Sequence, residues 1–180
     1  MKIQRTQWIA QGAVIAALYV VLTLLANALG LAGMAIQVRF SEALTVLPYM
    51  TSAAVPGLFL GCLISNLLIG AMLPDVIFGS LATLLGAVGT YLIGAAAVKR
   101  NGYNGRYMNS KLRWLAPIPP IAANAMIIPY LLAYVYRLEG GLPYFFVTVG
   151  IGEVISCGIL GMGLLSGLKK HGKLFHAYTR

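Results

Sequence analysis

The chain has 180 residues, of which 59% are hydrophobic and 9% are charged, whereas roughly 25% of the residues of a soluble domain are charged. So few polar side chains cannot cover a soluble domain, and the composition also excludes a disordered chain, a disulfide-rich scaffold and a coiled coil. The formal net charge of +9 comes mainly from residues near the ends of the apolar runs. It therefore indicates orientation in a lipid bilayer rather than binding to nucleic acid.

Six apolar runs follow one another along the chain, and a spanning helix needs about 20 such residues. We therefore predict an all-α membrane protein, a single domain over residues 1–180 built as a bundle of six transmembrane helices at 8–29, 34–50, 55–73, 75–98, 114–136 and 144–168. The first run is longer than the apolar core of a signal peptide, which favours a retained helix. The second run is the shortest and carries both Arg39 and Glu42.

The basic residues are distributed very unevenly among the segments between these runs. Of the 13 Lys and Arg residues, all but Arg39 and Arg137 lie in the N-terminal segment, in the loop after the fourth run or in the C-terminal segment. In a six-span chain these three segments share one side of the membrane. The positive-inside rule places that side, and with it both termini, in the cytoplasm.

The four acidic residues all lie away from that side. Glu139 falls in an outer loop, and Asp75 begins the fourth run, where it either complements the helix dipole or binds a ligand. Glu42 and Glu153 are predicted to lie roughly 12–14 Å into the bilayer from the outside, and buried carboxylates of this kind are candidates for function. Glu42 has an alternative role as the partner of Arg39 in a structural ion pair.

Other polar side chains are predicted at a similar depth. Asn66 and Asn124 lie within the third and fifth runs, and Tyr130 and Tyr134 follow on the outer half of the fifth. The alternative roles are hydrogen bonds between helices for the amides and an interfacial belt for the tyrosines. Together with the carboxylates these groups predict a polar pocket open to the outside, suited to a flat heterocycle with N–H donors or an ammonium group.

Small residues form two pairs at i, i+4 spacing in the first run, Gly12 with Ala16 and Ala13 with Ala17. Such pairs let another helix approach closely, either a partner's helix or a neighbour in the same bundle. The chain has no phosphate-binding loop in a suitable context and no arrangement typical of a catalytic or metal site. We therefore predict a protein that is not an enzyme and holds neither a cofactor nor a metal ion.

Three stretches of the sequence resemble one transporter family. They are IQVRFSEALTVLP at 36–48, PGLFLGC at 56–62 and DVIFGSLAT at 75–83, and they are similar to the QueT family of substrate-binding S components of energy-coupling factor (ECF) transporters. The resemblance implies a prokaryotic plasma membrane and a queuosine precursor as substrate, 7-aminomethyl-7-deazaguanine. It also implies three partners, a transmembrane coupling protein of the EcfT type and two cytoplasmic ATPases.

The resemblance also implies a mechanism and a partner surface. In S components generally, small residues of the first helix contact the coupling protein, and here these are Ala13 and Ala17 with Gly12 and Ala16 beside them. The whole S component then topples in the membrane and carries its pocket from outside to inside.

The residues fit this substrate chemically. One carboxylate can accept the paired N–H donors of a deazaguanine, and a second can pair with the aminomethyl cation. Glu42 and Glu153 suffice for both tasks, Asp75 is a third candidate, and the remaining candidates for the substrate site are Arg39, Asn66, Asn124 and Tyr130. Three other functions stay open, a proton-coupled carrier acting alone through Glu153, an S component for another vitamin-like heterocycle, and a scaffold without a ligand.

Overall fold

The computed structural model describes residues 5–30, 38–102 and 106–171. Its helices begin with α1 (Arg5–Ala28), a 3-10 helix (Phe40–Tyr49), α2 (Ala54–Leu68) and α3 (Leu73–Asn101). Two short 3-10 helices (Arg106–Asn109 and Lys111–Leu115) lead into α4 (Ile118–Tyr130), which continues as a π-helix (Leu131–Val135). The last stretch joins α5 (Leu142–Glu153), a second π-helix (Val154–Gly161), α6 (Met162–Gly167) and a 3-10 turn (Leu168–His171).

These elements confirm the predicted all-α membrane protein with six helices. Four helical stretches are long and apolar enough to cross a membrane, namely Arg5–Ala28, Leu73–Asn101, Lys111–Val135 and Leu142–Gly167. Many large apolar side chains on these stretches are exposed, including Val14, Leu85 and Ile159. Apolar surface of this extent is expected of helices that face lipid.

The second predicted span, 34–50, differs most from expectation. Residues 34–37 lie outside the described part of the chain, and the rest form the ten-residue 3-10 helix Phe40–Tyr49 rather than an α-helix. At about 2 Å per residue this helix is roughly 20 Å long, which is less than the hydrocarbon thickness of a bilayer. Nearly all of its side chains are buried, so the neighbouring helices surround it.

Prolines and glycines account for several helix ends. Pro74 and Pro143 stand in the first turns of α3 and α5, where the missing N–H breaks no helical hydrogen bond. α3 ends at Gly102, whose φ of 76° lies in the left-handed region that glycine adopts readily. Pro129 lies near the end of α4 and cannot donate a backbone hydrogen bond, and the helix continues in π form from Leu131.

Close backbone contact joins α1 to α2 along a line that we call the α1–α2 seam, formed by Gly12, Ala16, Gly57 and Gly61. A Cβ atom at Gly57 would lie 2.6 Å from the Gly12 carbonyl oxygen, and one at Gly61 would lie 3.0 Å from the Ala16 carbonyl oxygen. No side chain fits at such distances. Glycine at these positions therefore allows the two helices to pack backbone against backbone.

Candidate functional site

Two irregular helical segments meet in the interior of the bundle, and each is bound to an acidic residue. Glu42 lies in the 3-10 helix, and Glu153 is the last residue of α5 before the second π-helix. Both side chains are buried. Long 3-10 stretches and π-helices are uncommon and are found often at functional sites.

Glu42 is tied to two other helices by hydrogen bonds. The Tyr19 hydroxyl of α1 donates to its Oε1 atom, and the Asn124 amide of α4 donates to its Oε2 atom at 3.3 Å. Both carboxylate oxygens therefore accept from neutral donors. The predicted alternative, an ion pair with Arg39, is not how Glu42 obtains its hydrogen bonds.

Glu153 lies beside Glu42. The Cys157 thiol donates to Glu153 Oε2 at 3.2 Å and also lies 3.4 Å from the Glu42 carbonyl oxygen, and Asn124 contacts both carboxylates. The nearest donor atoms of Glu42, Glu153 and Cys157 lie within 4.8 Å of one another. We call Glu42, Asn124, Glu153 and Cys157 the carboxylate cluster.

The carboxylate cluster has the geometry to share one cation. Two buried carboxylates at this distance repel each other when both are ionised, so a proton, a metal ion or an ammonium group between them is favourable. The thiol and carboxylate atoms could reach a metal ion, and the predicted lack of a resident metal stays a prediction.

Arg39 lies where it interacts with several acidic groups at once. Its guanidinium interacts electrostatically with Asp75 and Glu42, and its backbone N–H donates to Ser156 Oγ at 3.2 Å. Arg39 is half-buried. One positive charge is thus set among three carboxylates, Glu42, Asp75 and Glu153, so this interior favours a further cation.

A second polar group lies between α2 and α3. Asp75 accepts a hydrogen bond from the Tyr136 hydroxyl at 2.7 Å. A Cβ atom at Gly79 would lie 3.0 Å from Asp75 Oδ1 and 3.3 Å from Asn66 Nδ2, so bare backbone separates the carboxylate from the amide. Such a surface suits the face of a flat ring.

Cys62 connects this second group to the carboxylate cluster. Asn66 Nδ2 lies 3.6 Å from Cys62 Sγ, and the Cys62 side chain also interacts with Tyr19 and Glu42. Six of the seven predicted substrate-site residues therefore belong to one polar region: Arg39, Glu42, Asn66, Asp75, Asn124 and Glu153.

Tyr130 is the predicted site residue that the structure does not bring to this region. Its side chain is 49% exposed and stacks on Tyr134 with 6.3 Å between ring centroids. It also meets Phe146 edge-on at 5.7 Å. Six residues separate Tyr130 from Asn124, so the two side chains project from different faces of α4.

Sequence reasoning missed the partners of the carboxylates. Tyr19, Tyr136 and Cys157 each hydrogen-bond an acidic side chain. Cys157 lies four residues after Glu153, on the same helical face, and this spacing was a signal in the sequence. No comparable pattern connects Tyr19 with Glu42 or Tyr136 with Asp75.

The two pairs of small residues on α1 face different surroundings. Gly12 and Ala16 belong to the α1–α2 seam, whereas Ala13 and Ala17 are exposed. The internal packing considered as an alternative therefore accounts for the first pair, and the second pair is available to a partner.

Comparison with known families decides the class of protein. Residues 9–170 match the model of the QueT transporter family. The chain belongs to the QueT transporter family. It is thus a multi-pass membrane transport protein rather than an enzyme, as the resemblance of its sequence motifs implied. Searches of curated proteins and of solved structures return no match.

Proposed function

We propose that this chain is the substrate-binding S component of an ATP-driven ECF importer that captures 7-aminomethyl-7-deazaguanine, a queuosine precursor. The observation that carries the proposal is the pair of buried carboxylates, Glu42 and Glu153, in a member of the QueT family. Three buried acidic side chains with one arginine among them favour a cationic substrate.

Each end of the substrate finds complementary groups in the polar region. Glu153 takes one hydrogen bond from a thiol, which is a weak donor, so it retains the capacity to accept the aminomethyl ammonium group next to Glu42. Asp75 and Asn66 flank bare backbone at Gly79. We assign to them the donor pair and the carbonyl oxygen of the pyrimidine ring, with Arg39 as the alternative donor to that oxygen.

The exposed face of α1 is the proposed contact with the EcfT-type coupling protein. Ala13 and Ala17 are exposed there, and small residues permit close approach of a second helix. Beside them an apolar cavity of about 440 Å³ is lined by residues that include Val14, Leu18, Leu44 and Leu168. Two cytoplasmic ATPases would supply the energy, and toppling of the whole chain would carry the pocket inward.

The distribution of Lys and Arg supports the proposed orientation, with both termini in the cytoplasm of a prokaryotic cell. Under this orientation Asp75 begins α3 at the outer face, so the polar region is reached from outside. A proton-coupled carrier acting alone is the second candidate, because Glu42 and Glu153 are close enough to share a proton.

Calorimetric titration of the purified chain in detergent tests the proposal. We expect saturable binding of 7-aminomethyl-7-deazaguanine, with guanine bound much more weakly and riboflavin not bound. Failure of all three to bind would remove the proposed substrate. Uptake into liposomes that contain this chain alone, driven by a pH gradient, would favour the proton-coupled carrier instead.

A further inference from the structure

The loop between α3 and α4 forms a second polar feature, at the opposite end of the bundle from Asp75. A cavity of about 470 Å³ opens there. Its lining includes Arg100, Asn101, Asn109, Lys111, Leu112 and Leu115. It therefore combines two cationic side chains and two amides with two leucines.

The described part of this loop is fastened to the bundle. Tyr107 and Met108 are buried, and the Tyr49 hydroxyl donates to the Tyr107 carbonyl oxygen at 2.9 Å. At the other end of the loop the Thr90 hydroxyl donates to the Ala116 carbonyl oxygen at 2.8 Å. The cavity is thus preformed, which lowers the entropic cost of binding a ligand there.

The charge around the cavity is of one sign. Lys99, Arg100, Lys111 and Arg113 lie in or beside the loop, and the sequence contains no acidic residue between Asp75 and Glu139. A preformed cavity with two unopposed cationic side chains at its wall is complementary to an anion.

Neighbouring side chains place this cavity at the membrane surface. Trp114 is 65% exposed, and the Arg113 guanidinium lies 5.5 Å from its ring centroid. Leu115 and Ile118 are also exposed. Exposed tryptophan followed by exposed apolar residues is typical of the boundary between lipid headgroups and acyl chains.

We propose that this cavity binds the headgroup of an anionic phospholipid, with Arg100 and Lys111 on the phosphodiester and Leu112 and Leu115 against the start of an acyl chain. The predicted orientation puts the cavity on the cytoplasmic leaflet, which carries negative surface charge. The proposal is independent of the substrate site and of its ligand.

Native mass spectrometry of the purified full chain tests this proposal. The chain is released from detergent after incubation with dioleoylphosphatidylglycerol or with dioleoylphosphatidylcholine, and bound lipid is counted. We expect preferential retention of the anionic lipid. The double variant Arg100→Gln/Lys111→Gln should weaken that retention by roughly 10- to 30-fold, as expected for two lost phosphate contacts.

The double variant Lys99→Gln/Lys169→Gln is the matched control, since it removes the same charge from exposed positions that do not line the cavity. It should retain the anionic lipid as the unaltered chain does. Equal losses in both double variants, or no preference for the anionic lipid, would overturn the proposal. So would displacement of the lipid by millimolar inorganic phosphate, which would identify a site for a soluble anion.

Discussion

The α1–α2 seam and the carboxylate cluster are joined through Tyr19, yet they are held together by different means. At the seam Gly57 brings its backbone to within contact of Gly12, and no polar side chain takes part. At the cluster the elements are held by side-chain hydrogen bonds to Glu42 and Glu153. The Tyr19 backbone packs at Gly61, while its hydroxyl reaches Glu42.

This contrast separates stability from function. Close packing at the seam gains dispersion contacts and has no capacity left for a ligand. Two acidic side chains at the cluster are costly in a membrane interior unless a cation or proton joins them. We therefore expect substitutions at the seam to change the free energy of unfolding, and substitutions at the cluster to change mainly the affinity for substrate.

The largest expected effect is the loss of substrate affinity in Glu153→Gln. Removing one charge-assisted contact costs about 1.5–3 kcal/mol, which is roughly a 10- to 150-fold rise in Kd. Calorimetric titration measures it, and thermal unfolding in detergent should stay near that of the unaltered chain. Glu139→Gln, in an exposed loop, is the control. Unchanged affinity in Glu153→Gln would remove this residue from the site.

Ala13→Trp is expected to act on assembly and not on substrate. A bulky side chain on the exposed face of α1 should weaken association with the coupling protein by about 5- to 150-fold, the range that overpacking of 1–3 kcal/mol corresponds to. Co-purification with the coupling protein and ATPases measures this loss. Ala28→Trp, on the same helix and also exposed, is the control. Normal assembly of Ala13→Trp would place the partner surface elsewhere.

Gly57→Ala tests the seam directly. Its added methyl group would overlap the Gly12 carbonyl oxygen, and we expect a loss of about 1–3 kcal/mol in the free energy of unfolding. Gly163→Ala is the matched control, because open space surrounds that position. Thermal unfolding in detergent compares the two. Equal stability of both variants would show that the seam tolerates a side chain.

The smallest expected effect is that of Tyr136→Phe. The variant loses the hydrogen bond to Asp75, and because Tyr136 is half-buried, water can take the place of its hydroxyl. We expect Kd to rise by about 2- to 10-fold, which corresponds to 0.5–1.5 kcal/mol. Tyr134→Phe, on a tyrosine that is 66% exposed, is the control. Equal effects in both would argue against a role for Asp75 in binding.

Much of the carboxylate cluster could be predicted from the sequence. Counting residues from the outer ends of the spans placed Glu42 and Glu153 at one depth, and two acidic side chains at one depth in a small bundle have few ways to avoid each other. Rise per residue is nearly constant in a regular helix, which is why this estimate was sound even though the 3-10 helix was not anticipated.

The irregular helices could not be predicted in the same way. Hydropathy reports only that residues 34–50 are apolar, and the 3-10 form of Phe40–Tyr49 depends on burial among other helices. The two faces of α1 present a related problem. Gly12 and Ala13 differ by one position and have equally small neighbours at i+4, so only tertiary packing distinguishes the seam from the exposed face.

Tyrosine positions were the least predictable. Tyr19, Tyr130 and Tyr136 are all compatible with an interfacial belt or a polar site. Tyr19 and Tyr136 proved to contact carboxylates, whereas Tyr130 packs against other aromatic rings. Helix rotation decides among these outcomes, and no pattern in a single apolar sequence fixes it.

The central claim is that the buried carboxylates recognise a cationic heterocycle. The most direct test measures the affinities of the unaltered chain and of Glu153→Gln for 7-aminomethyl-7-deazaguanine and for the uncharged 7-methyl-7-deazaguanine. We predict that the unaltered chain prefers the aminomethyl compound by roughly 10-fold or more and that Glu153→Gln loses most of this preference. An equal preference in both proteins would contradict the account, because the ammonium group would then be recognised without Glu153.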